Sequence, residues 1–104
     1  MLLMQLCGTF LDELPMRIQS LDNAIKLRNR LGTGRALQQL RNCLIVFGSG
    51  QVSVTAEMLD AAVRSGRFRQ VQLEWKRLHQ QLRLLVPQVQ RLMLEMAVPK
   101  SAVQ

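Results

Sequence analysis

The chain has one histidine, two cysteines and seven acidic residues available for chemistry. Their spacing limits what each can do. His79 lies between Lys76 and Arg83, three residues before it and four after. Nucleophilic catalysis needs a Ser or Cys beside an oriented base, and the sequence offers no carboxylate near this ring. Cys7 and Cys43 are too far apart for a CxxC motif, and neither has a His or second Cys at metal-ligand spacing. Both read as small core hydrophobes in a reducing compartment, and no metal or other cofactor is expected. Asp12 and Glu13 are neighbours, which on a helix point to different sides and cannot share acid and base roles. Gly32-x-Gly34 runs into Arg35 with no strand before it, unlike a nucleotide-binding loop. The chain reads as a non-enzyme.

The elements that would hold these residues are helical. With 104 residues and 48% hydrophobic content the chain fits one domain spanning 1–104. Its Leu, Gln, Arg and Met lose little rotamer freedom in a helix. Phe10, Leu14, Ile18, Leu21 and Ile25 recur every three or four residues, predicting a first helix over about Met4 to Asn29. Pro15 is expected to kink it or to split off a short extra N-terminal helix ending near Leu14. Leu31, Gly32, Thr33 and Gly34 read as the first connection. A second helix, from Thr33 or Gly34 to Phe47, would bury Leu37, Leu40, Leu44 and Phe47. Arg35, Gln38, Arg41, Asn42 and Ile45 would then face away from the core. A third helix is predicted over Gln51–Arg64, stopped by Gly66.

In the last helix Phe68, Val71, Trp75, Leu78, Leu82, Leu85, Val89, Leu92 and Met96 form an unbroken heptad seam. Pro87 should bend or shorten it, and Ala97 to Gln104 should fray. The fold class is therefore all-α, an up-down four-helix bundle. The formal charge of +7 resides mostly in residues 67–104, which hold seven cations against two acids. Arg69, Lys76 and Arg83, seven apart, make a basic stripe along this helix. Such a stripe suits nucleic acid. Against that partner stand the lack of a helix-turn-helix or zinc signature and the presence of only four aromatics, most at core spacing.

The middle of the chain resembles histidine-containing phosphotransfer (HPt) domains. Gln38-Gln39-Leu40-Arg41-Asn42-Cys43, then Phe47-Gly48-Ser49, then Met58-Leu59-Asp60-Ala61-Ala62-Val63-Arg64-Ser65-Gly66 follow that family's pattern without a gap. Phe10-Leu11-Asp12-Glu13-Leu14-Pro15 also looks like its first core helix. The resemblance implies a four-helix bundle of bacterial-type two-component signalling, whose exposed helix face docks a response-regulator receiver domain or a hybrid histidine kinase. This chain departs from the pattern where the phosphate would be carried. Gln38 stands at the phosphoacceptor position, Arg41 at a usual lysine, and Asn42 at a glycine that leaves room for the partner. A glutamine amide has no nucleophilic nitrogen comparable to imidazole, so position 38 cannot pass a phosphoryl group.

The resemblance thus implies a degenerate, pseudo-phosphotransfer module with Arg35, Gln38, Arg41, Asn42 and Ile45 as its partner-binding face. His79, flanked by cations, is the alternative phosphosite; its plainer reading is a surface histidine on a basic helix. Another class of function is a small helical adaptor or secretion-associated assembly protein whose seam pairs with another chain. No small-molecule substrate is expected. A membrane partner is not expected either, because the bundle core uses the apolar seam. The start of the chain lacks a basic region before its apolar residues, and no apolar run approaches the ~20 residues of a span, which together point to the cytoplasm.

Overall fold

A computed structural model describes residues 2–48 and 50–97. It contains four helices and, among the described residues, no strand: α1 (Leu2–Lys26), α2 (Arg30–Cys43), α3 (Gln51–Ser65) and α4 (Phe68–Ala97). Each helix packs on its chain neighbours, and α1 also packs on α4, closing an up-down ring. The core takes Phe10, Leu14, Leu21 and Ile25 from α1, Leu37 and Leu40 from α2, and Val71, Trp75, Leu78 and Leu82 from α4, all expected from the sequence, and adds Leu59 and Val63 from α3. Ile18, Phe47, Phe68, Leu85, Leu92 and Met96, expected with them, are only half-buried at its edge.

Three boundaries differ from the sequence reading. First, α1 is not divided at Pro15, which lies within one helix of 25 residues. Pro15 is exposed, so water can satisfy the carbonyl it leaves without a donor, while Leu14 and Phe10 on the other side hold the helix in the core. There is no separate N-terminal helix. Second, the first connection comes earlier, at residues 27–29. Asn29 caps α2, its side-chain oxygen accepting from the Gly32 N–H at 2.9 Å, and the Thr33 hydroxyl donates to the Asn29 carbonyl at 2.7 Å. Gly32 and Gly34 therefore belong to the first turns of α2. A Cβ at Gly32 would lie 2.6 Å from the Asn29 amide nitrogen, so the glycine makes room for the cap. Third, α2 ends at Cys43. Leu44 to Phe47 form turns closed by the Gly48 N–H on the Leu44 carbonyl at 2.7 Å.

The connections α1–α2 and α3–α4 lie together at one end of the bundle. Both helices entering that end finish in the same hydrogen-bonded form: the Asn29 N–H reaches the Ala24 carbonyl, and the Arg67 N–H reaches the Ala62 carbonyl, each at 3.1 Å. The residue this form puts in the left-handed region is Gly66 in one case (φ 69°) and Arg28 in the other (φ 53°). Arg30 ties the two connections, its guanidinium donating to the carbonyls of Val63 and Arg64 at the end of α3.

At the opposite end the helices are unequal. α2 and α3, at 14 and 15 residues, reach about half as far as the 30 residues of α4. Their connection stops beside α1, where the Phe10 and Phe47 rings stand 4.9 Å apart. Beyond it α1 and α4 continue alone as a two-helix stem, with Gly8 against Met93, and the molecule reaches 56 Å in length. Pro87 does not stop α4, which continues to Ala97. The remainder of the expected tail, 98–104, lies outside the described residues.

Candidate docking face on the second helix

Leu37 and Leu40 on α2 and Leu44 just past its end turn inward, and this fixes what α2 and the turn after it show outward. Arg35, Gln38, Asn42 and Ile45 are exposed in a row of three- and four-residue steps, while Arg41 is half-buried beside them. Gln38 donates from Nε2 to the Asn42 Oδ1 at 3.1 Å. Ile45 is 78% exposed, an apolar side chain for which the fold itself has no use.

The row borders the seam between α2 and α3, where two open hollows meet at Gln38. One, of about 410 Å³, runs from Gln38 past Arg41, Asn42 and Ile45 to Val52 and Ala56. The other, of about 550 Å³, lies between Leu31, Gly34 and Arg35 on α2 and Val63 and Arg64 on α3, with mostly apolar walls. The five residues named from sequence therefore share one surface. Their charges are not equivalent. Arg41 turns toward α3 and faces Asp60 at 3.7 Å, and Asp60 also holds Arg64 at 2.9 Å. Arg35 has no ion pair among the described residues, and it is the open cation of this face.

His79 is elsewhere. It is half-buried on α4, which packs on α1 and α3 and not on α2. Its ring is stacked on Trp75, with centroids 5.3 Å apart and planes 7° from parallel. The indole N–H of Trp75 donates to Asp22 at 3.1 Å, and Asp22 pairs with Lys26 at 2.9 Å. The bond to Lys26 holds the Asp22 carboxyl below the usual carboxylate range; the indole adds to this, partial burial opposes it, and the charges of Lys26 and His79 act in the same direction as the bond. A carboxylate thus stands near His79, supplied by α1 from 57 positions earlier in the chain, which spacing along α4 could not show. It orients the indole rather than the imidazole.

The remaining candidates have structural surroundings. Cys7 is buried and Cys43 half-buried, both as free thiols. Burial pushes the Cys43 thiol above its ordinary value, with Glu13 reinforcing the shift and Arg17 opposing it, so it is not poised as a nucleophile. Arg69, Lys76 and Arg83 are all exposed along α4. Sequence reasoning did not anticipate Glu74, a buried acid whose Oε1 meets Arg77 at 3.2 Å and whose Oε2 has no hydrogen-bond partner among the described residues. Its place next to Trp75, one position off the seam, gave no sign of burial. Comparison of the chain with protein-family models, with curated proteins and with solved structures finds no match.

Proposed function

We propose that this chain is a non-catalytic, phosphotransfer-like signalling module: it binds a receiver or histidine-kinase domain through the outward face of α2 and regulates a phosphorelay without carrying phosphate. The observation that supports this most is the setting of Gln38. The residue at the degenerate phosphoacceptor position is exposed, midway along α2, where two hollows meet, with the open cation Arg35 on one side and the exposed Ile45 on the other. Cation and apolar anchor together suit the acidic phosphorylation pocket of a receiver and its surroundings.

The test is incubation with a phosphorylated receiver domain from the same cell, following complex formation and phosphate separately. A stoichiometric complex without transfer is expected. Ile45→Glu and Arg35→Glu should each weaken it about tenfold or more, and unchanged affinity in both would remove the face from consideration. Arg35 is a cleaner probe than Arg41, whose reversal would also disturb Asp60.

A second reading, an assembly adaptor, draws on the stem. There Leu2, Leu3, Leu6 and Leu94 are exposed, while the seam from Val71 to Leu82 is consumed by the core. An adaptor of this kind would self-associate or pair through the stem, and sedimentation at several concentrations separates it from the monomer expected of the signalling module.

A further inference from the structure

The end of the bundle that joins α1 to α2 and α3 to α4 has a composition of its own. Lys26 to Leu31 and Arg64 to Arg69 make twelve residues that hold six of the chain's fourteen cations and no acid. Neither segment is conspicuous along the chain, since 38 positions separate them. Folding puts them together through Arg30 on the α3 carbonyls and through Arg28, whose guanidinium lies 4.5 Å over the ring of Phe68.

The four helix ends meeting here cancel one another, two N-termini against two C-termini, so the field is that of the side chains. Lys26 and Arg64 are partly neutralised by Asp22 and Asp60. Arg28, Arg67 and Arg69 have no carboxylate partner among the described residues and are exposed. Within this cationic end stand two bare leucines. Leu27, in the turn, is 78% exposed, and Leu31, in the first turn of α2, is 67% exposed.

We infer that this end docks on an anionic phospholipid surface, with Leu27 and Leu31 entering the headgroup region and the arginines meeting lipid phosphates and carboxylates. Charge alone would suit any polyanion, and the leucines decide between them. A nucleic-acid backbone gains nothing from two exposed aliphatic side chains, whereas an interface that is polar outside and apolar a few ångströms deeper accepts both kinds of residue. The aromatic surfaces that would stack bases are also spent: Trp75 is buried, and Arg28 covers Phe68. The sequence argument against a membrane partner concerned the apolar seam of α4, and neither leucine belongs to that seam.

The experiment is sedimentation of the whole chain with vesicles of phosphatidylcholine alone and of phosphatidylcholine with phosphatidylserine, alongside a short DNA duplex. Binding to the phosphatidylserine vesicles is expected, weakening as salt rises. Leu27→Ser with Leu31→Ser should weaken it about tenfold at constant salt. Arg67→Glu with Arg69→Glu should abolish it, each cation contributing about fivefold. All four side chains are exposed, and helical circular dichroism checks that the variants fold; if the reversal variant does not, Arg67→Gln with Arg69→Gln replaces it. Ile45→Glu should bind vesicles like the parent, which keeps this test independent of the α2 face. No preference for phosphatidylserine would overturn the inference. So would undiminished vesicle binding by the leucine variant, or DNA binding as tight as vesicle binding.

Discussion

At the scale of single residues, the row on α2 defines what phosphate chemistry would require. Restoring the imidazole alone, Gln38→His, leaves the Asn42 side chain where the HPt pattern has glycine. We expect that variant to remain inert toward a phosphorylated receiver, and Gln38→His with Asn42→Gly to accept an acid-labile phosphate; labelling of the single variant at the rate of the double would show that Asn42 is no obstacle. Asp22 supports a second prediction. Asp22→Ala leaves the Trp75 N–H without its acceptor and should cost about 1 kcal/mol in denaturant unfolding, with the exposed Lys26 pair adding little. Asp22→Asn keeps an acceptor and should cost less. Because the folded-state carboxyl titrates below its ordinary value, its contribution is fully present above the unfolded-state titration and is lost as pH falls through the lower, folded one. Asp22→Asn should therefore flatten the acid limb of the stability profile, and an unaltered limb would show that other carboxylates control it. The face of α2 was legible in the sequence because it depends only on a local period. The Asp22–Trp75–His79 arrangement was not, since it joins α1 to α4.

At the scale of helices, legibility followed the residue that ends each one. Gly66 marked the end of α3, whereas α1 ends in the same hydrogen-bonded form with Arg28 in the left-handed position, where glycine is the usual signal. The two glycines just downstream then looked like the turn, though Asn29 had already started the next helix. Pro15 misled in the opposite direction: its local cost is real, but packing of Leu14 and Phe10 outweighs it. That cost remains recoverable. Pro15→Ala restores one backbone hydrogen bond on an exposed helix face and should stabilise the fold by about 1–3 kcal/mol. Thermal unfolding would register a clear rise in midpoint, and a fall would mean that the proline ring itself packs usefully.

At the scale of the whole molecule, the unequal helix lengths make two regions of different security. The four-helix body buries its seam on all sides, while the stem has only two helices to share its apolar surface. Native-state hydrogen exchange should find the amides of residues 90–97 far less protected than those of 71–82, because local opening there uncovers little buried surface. Equal protection would mean that the stem has a partner, a second copy included. The charge reading also changes at this scale: the sequence assigned the excess to the last helix, but folding concentrates much of it at one end of the long axis. The pairing of Trp75 with His79 has an optical consequence. The chain has one tryptophan and no tyrosine, so its ultraviolet emission is that of a single indole lying against a single imidazole. Replacing that imidazole, His79→Ala, should change the emission while the helices stay intact, and unfolding should red-shift it, so one unlabelled fluorescence measurement would distinguish a local change beside the indole from loss of the fold.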